Sequence, residues 1–140
     1  MRSFQFAILF IIFFSLSASS SYAEEWIESQ FIERSAEFLQ GLDDGRFDSA
    51  WQATNPLFKI LNDRERWLTR NKALRAAYGS LISRNTRHVA YRKTYTNSPD
   101  GDYVIIQHDS VFANKEKAVE TVILDCPALE ECSIREYIIN

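Results

Sequence analysis

The chain has 140 residues, 46% hydrophobic and 25% charged, which is enough to bury one core without help from a metal or several disulfides. Sixteen Lys and Arg against 19 Asp and Glu leave a net charge of −3. Two cysteines, with His88 and His108 far from them in the chain, do not present the spacing of a zinc site, and no metal is expected.

Residues 4–18, "FQFAILFIIFFSLSA", form an apolar run after a single Arg2, and no acid precedes Glu24. Ser21 and Ala23 are small residues placed three and one before a cut after Ala23, so residues 1–23 read as a cleaved secretory signal peptide. The run is shorter than the ~20 apolar residues of a membrane span, and no stable span is expected after cleavage. Residues 24–140 read as a single α+β domain in a periplasmic or secreted, oxidising setting. Export argues against a nucleic-acid partner.

Three helices are predicted first. Ile27, Phe31, Phe38 and Leu42 make one stripe at helical spacing, closed by Gly41 and Gly45. Phe47 and Trp51 lie on a short second helix that should stop before Pro56, because the residue before a proline avoids helical geometry. A third begins with Asn62 as cap and Glu65 three residues later, carries Trp67, Leu74 and Tyr78 on one face, and ends at Gly79. Trp26, Trp51 and Trp67 all read as core.

Four extended runs come next: residues 87–96, 102–112, 118–126 and 132–139. Their short connections, "NSPDG", "ANKEK" and "PALEE", predict a four-stranded antiparallel meander under the helices, curved and cone-like. Both strand faces are apolar. Val104, Ile106 and Phe112 lie on one side and Tyr103, Ile105 and Val111 on the other. The second side is covered either by a loop or the N-terminal helix, or by a homodimer through Tyr91, Tyr95, Tyr103 and Tyr137.

Read in order, "GLDDGRFDSAW", "FK", Trp67, "LRAAYGSLISR" and "SPDGDYVIIQHDSVFANKEKAVETVIL" resemble the family known as Domain of Unknown Function 4019. Trp51, Arg84, the turn from Asp100 to Tyr103, Phe112 and Glu120 carry the resemblance. It implies a small exported bacterial protein without an assigned activity, with a helix-then-sheet order similar to nuclear-transport-factor-2-like and cystatin-like folds. Relatives end in a Trp-containing strand closing on Gly-Tyr. Counted back from Tyr137, Cys132 stands at the Trp position and Glu136 at the Gly position.

Cys126 and Cys132 have five residues between them and acidic neighbours Asp125, Glu130 and Glu131, which would raise a thiol pKa. A structural disulfide fits better than a reactive site. For chemistry, the simplest register at "SPDG" sets His108 beside Ala90 and Ile106 beside Arg92, and the "ANKEK" turn sets His108 across from Glu120. His108, Glu120 and Arg92 would then line one face near Glu136, as an acid-base group or as a salt-bridged polar cluster. One residue of slip would undo the arrangement.

Residues 59–93 hold ten bases and two acids between acidic flanks. Arg64, Arg66, Arg70 and Arg75 could meet an anionic surface, or could be neutralised by the acidic first helix. No Gly-rich phosphate loop or nucleophile elbow occurs, and no cofactor is expected. The expected function is a non-enzymatic small binding or protein-interaction module with an unknown protein or ligand. The alternatives are an acid-base enzyme of isomerase or hydratase type, and an anionic envelope-surface binder.

Overall fold

The computed structural model describes residues 18–128 and 131–140, with side chains from Glu24 onward. The signal segment expected over residues 1–23 lies outside the described residues, apart from helical backbone from Ala18. Helix α1 (Ala18–Asp43) buries Phe31, Phe38 and Leu42 of the predicted stripe, with Ser35 and Leu39 beside them, while Ile27 is half-buried. Trp26 is 60% exposed and does not join the core expected for it. Gly45, at φ +73°, turns the chain into α2 (Phe47–Gln52), whose Phe47, Ala50 and Trp51 are buried.

Among the described residues four helices precede the sheet, where three were expected. Pro56 starts a helix, α3 (Pro56–Leu61), besides ending the previous one. A proline at the first helical position has the φ the helix needs and lacks an N–H that would be unpaired there. Asn55 stays extended, as a residue before proline must, and its side chain accepts from the Phe58 N–H at 2.7 Å. The cap of α4 (Arg64–Tyr78) is Asp63, which accepts from the Arg66 N–H at 2.8 Å. Asn62, expected as that cap, donates back to the Phe58 carbonyl at 2.9 Å and closes α3.

Four strands form one open antiparallel sheet in chain order: β1 (Leu81–Arg92), β2 (Tyr103–Phe112), β3 (Lys115–Asp125) and β4 (Ser133–Ile139). The helices cover one face. There Val104, Ile106, Val122, Leu124 and Ile134 meet Phe31, Phe38, Leu39 and Leu42, and beside them Trp51, Phe58 and Trp67 pack on one another in edge-on and tilted contacts with centroids 5.5–6.4 Å apart. A smaller cluster of Phe112, Ala118 and Ile139 sits under Leu74 and Tyr78.

The β2–β3 register is the expected one, with His108 opposite Glu120. The β1–β2 register is not. His108 lies opposite Thr86 and Ile106 opposite Val89, while Arg92 pairs with Tyr103. The connection is a ten-residue loop, residues 93–102, rather than a tight turn at "SPDG". That loop folds over the far face of the sheet. The Tyr103 hydroxyl donates to the Pro99 carbonyl at 2.6 Å, and Arg135 donates to the Ser98 hydroxyl at 2.9 Å and the Asn97 carbonyl at 3.3 Å. Ile123 and Arg135 are consequently buried at this end, although they lie on the face away from the helices. A loop therefore provides part of the cover that the apolar second face calls for.

Cys126 and Cys132 are bonded, with Cα atoms 4.2 Å apart, and both are buried against the core. Closing so short a loop contributes about 2 kcal/mol by the chain-entropy estimate. Reduction with a phosphine should therefore lower the melting temperature followed by circular dichroism by roughly 5–10 °C. An unchanged melting curve would show that the clamp carries no stability.

Candidate functional site

Alternation along β3 places Ala118, Glu120, Val122 and Leu124 on the helix-covered face, so its one inward acid enters the core. Glu120 has no exposed surface. A charge there is tolerable only if paired and hydrogen-bonded, and four elements supply the partners while a fifth balances the remaining charge. From α4, Arg75 Nη2 donates to Oε1 at 2.8 Å. From β1, Arg84 Nε donates to Oε2 at 2.7 Å. The Ser110 hydroxyl on β2 donates to Oε2 at 2.6 Å, and the Tyr137 hydroxyl on β4 donates to Oε1 at 2.8 Å. From the end of α1, Asp43 pairs with both guanidinium groups, 2.7 Å from Arg84 Nη1 and 3.1 Å from Arg75 Nε.

Two carboxylates and two guanidinium groups thus close on one another with no net charge. Burial alone would raise the pKa of Glu120, but Arg84, Arg75 and the two hydroxyl donors outweigh it and hold the carboxyl below its ordinary value. Burial works against the charge on Arg84 too, and is more than offset by Asp43 and Glu120, so its pKa is raised. Burial and the neighbouring Glu120 push the Tyr137 phenol up.

His108 adjoins the cluster and is 2% exposed. Its Nε2 lies 2.7 Å from the Ser35 hydroxyl oxygen and its Nδ1 lies 3.4 Å from that of Thr86. Ser35 also donates to the Ile32 carbonyl at 3.1 Å. With that proton committed, the hydrogen-bond count assigns the neutral ring with the proton on Nε2. Burial, then the positive charge on Arg84, lower the His108 pKa, against an opposing pull from Glu120. A serine hydroxyl near a histidine resembles a nucleophile and its base. Here, however, the other ring nitrogen faces a hydroxyl and Ser35 has no exposed surface.

The structure thus joins His108 and Glu120 and separates Arg92 from them. Arg92 is exposed and donates to the Tyr91 carbonyl at 2.8 Å. Its expected place is taken by Arg84 and Arg75, because the β1 register is set by a long loop and two bulges rather than by the "SPDG" turn. Glu136 lies on the opposite face and accepts from the Tyr95 hydroxyl. Of the four bases expected to meet an anionic surface, Arg75 is inside the cluster and Arg64 is paired with Asp48 and Glu65; Arg66 and Arg70 are exposed.

The four tyrosines do not share a surface. Tyr137 is in the charge cluster, and Tyr91 packs on Phe31 and donates to Glu28 at 3.2 Å. Tyr95 and Tyr103 stack under the loop on the other face. Arg75, Asp43, Ser35 and Ser110 carry no local sequence signal for this site; the only hint was Arg84 and Glu120 within the family resemblance. Among the described residues no group of three His, Cys, Asp or Glu is gathered to hold a metal, and no helix is long and apolar enough to cross a membrane.

A family profile described as "Protein of unknown function (DUF4019)" matches residues 34–130, which include Asp43, Arg75, Arg84, His108 and Glu120. No curated protein and no solved structure matches the chain.

The closed cluster makes stability sensitive to one side chain and to acid. Glu120→Gln leaves two buried guanidinium groups facing Asp43 alone and should cost roughly 3–5 kcal/mol in urea unfolding; a cost under about 1 kcal/mol would mean that the cluster is solvated. Both Glu120 and His108 have folded pKa values below their ordinary 4.5 and 6.5, so the unfolded chain binds more protons than the folded one on acidification. The His108 contribution is present above pH 6.5 and is lost as pH falls through its folded pKa. The Glu120 contribution is lost further down, starting below pH 4.5. Stability should therefore begin to fall below about pH 6.5, and His108→Gln should flatten the curve just below that pH while leaving the steeper acid limb.

Proposed function

This chain belongs to the DUF4019 family, and we propose that it is a non-enzymatic binding or protein-interaction module that acts after export. The observation that carries this reading is the closure of its polar centre. Glu120 has four hydrogen-bond donors from its own chain and no exposed surface, and both ring nitrogens of His108 are engaged. A general base needs a free lone pair within reach of substrate. Neither group offers one, which speaks against the acid-base reading of the pair.

The surface left for recognition is the sheet face away from the helices. Beyond the loop it carries half-buried Ile105, Val111 and Val119 and the exposed Ile138. Half-covered apolar positions interleaved with Gln107, Thr121 and Asp109 suit a protein or peptide contact. The helix-then-sheet order is in keeping with nuclear-transport-factor-2-like folds, which host such modules as well as enzymes, so the site rather than the fold supports the choice. The buried disulfide suits an oxidising compartment.

Diethylpyrocarbonate distinguishes the readings. In the folded protein it should modify the exposed His88 and spare His108, as read by peptide mass spectrometry. Acylation of His108 under native conditions would reveal an open cavity and return the acid-base enzyme.

A further inference from the structure

The sheet has two edges, and they differ. Along β4, the turn between α2 and α3 closes part of the edge: the Asn55 N–H donates to the Ile134 carbonyl at 2.8 Å and the Ile134 N–H to the Ala53 carbonyl at 3.2 Å. Along β1, no backbone hydrogen bond outside the sheet reaches residues 82–92 among the described residues. This edge is twelve residues long, and its ladder to β2 is regular over residues 83–86 and 88–92. An edge of that length is a template for a further strand.

Its charge is one-sided. No Asp or Glu occurs from Arg66 to Pro99. Of the bases in that stretch, Arg75 and Arg84 are spent on Asp43 and Glu120 in the core, whereas Arg87, His88 and Arg92 are exposed along β1. Arg87 faces Asp109 of the adjacent strand, at 3.5 Å with both side chains more than half exposed, and shares the recess beside it with Glu116. A second copy of β1 laid alongside would set like charges together. An acidic strand would not.

The edge also leads into a recess. Ser83, Asn85 and Arg87 line it from β1, Asp109 and Val111 from β2, and Glu116, Lys117 and Val119 from β3, around a half-open volume of about 430 Å³ in which two bases are matched by two acids. The register shift between Thr86 and His88 leaves Arg87 unpaired at a bulge, a device that re-aims a side chain. In strand addition, main-chain bonds supply affinity and pockets for alternate side chains supply specificity. Both parts are present side by side.

We propose that β1 is the docking edge of this module, and that its partner is an extended acidic peptide segment that adds a fifth strand beside residues 83–92 with alternate side chains over the recess. This rests on the reading of the protein as an interaction module and names the class of partner. Recognition is by backbone pairing together with the positive charge of Arg87 and Arg92.

The test uses the disulfide-bonded protein from Glu24 to Asn140 and a fluorescein-labelled seven-residue peptide of alternating Val and Glu, followed by anisotropy at low salt. Saturable binding is expected, with no binding of the Val and Lys counterpart. Hydrogen exchange should slow at β1 amides when the peptide is bound. The Arg87→Glu/Arg92→Glu double variant, and separately Arg87→Ala/Arg92→Ala, should weaken binding at least tenfold with unchanged melting temperature. Absence of saturable binding overturns the proposal, as does binding indifferent to both double variants. Binding of phosphatidylglycerol vesicles that depends on Arg87 and Arg92, without peptide binding, replaces the peptide with a lipid surface. A dimer in light scattering that Arg87→Glu abolishes replaces it with a second copy. If His108 resists diethylpyrocarbonate and the peptide still fails to bind, the edge assignment alone falls; if His108 is acylated, the module reading falls first.

Discussion

Burying one carboxylate, Glu120, at the middle of the sheet is the constraint around which the other elements are placed. An ionised group with no exposed surface must find its counter-charges inside the protein, and those on Arg75 and Arg84 come from 45 and 36 residues away in the chain. Asp43 then balances the second positive charge, which ties the C-terminal end of α1 to α4 and β1 at once. The aromatic and aliphatic core supplies the bulk of the favourable burial, and the cluster adds to the register that it sets: a one-residue shift of β3 turns Val122 and Leu124 to the far face together with Glu120 and leaves two guanidinium groups buried without it.

The same cluster explains why the centre of the protein resembles an active site and is built as a strut. Groups with catalytic potential, Ser35, His108 and Glu120, are close together because a buried polar network must satisfy all its members. Glu120 and both ring nitrogens of His108 are engaged within the chain, while Arg75 Nε, 3.1 Å from Asp43, is buried without a hydrogen-bond partner. The histidine is kept neutral by burial and by Arg84, which lets it accept and donate within the core without adding a charge that the four-group balance could not absorb.

Inward use of Arg75 and Arg84 also reorganises the charge pattern of the surface. The basic middle of the chain divides into a part neutralised inside and a part displayed along one strand edge and the exposed side of α4. The opposite sheet edge is partly closed by residues 53–55, and the loop over Tyr103 and Arg135 covers one end of the outer face. The proposed recognition surface is therefore β1 and the recess beside it.

Features governed by local physics were legible in the sequence. The α+β order, the helix stripe of Phe31, Phe38 and Leu42, the antiparallel meander and the paired cysteines rest on periodicity, turn residues and short connections. The pairing of His108 with Glu120 was legible too, because the short turn after Phe112 fixes the register of β2 on β3. Arg92 was misplaced because ten residues separate β1 from β2, and a loop of that length leaves register to the bulges and the packing of the strands. Pro56 and Asn62 were misread because helix ends depend on which neighbours take the free N–H and carbonyl groups. The sequence by itself determined the elements, their order and the cysteine clamp, since these rest on contacts within a few residues. Only the tertiary structure decided that Glu120 takes Arg75, Arg84 and Asp43, and that the site is sealed, because the counter-charges for a buried ion are chosen by proximity in space.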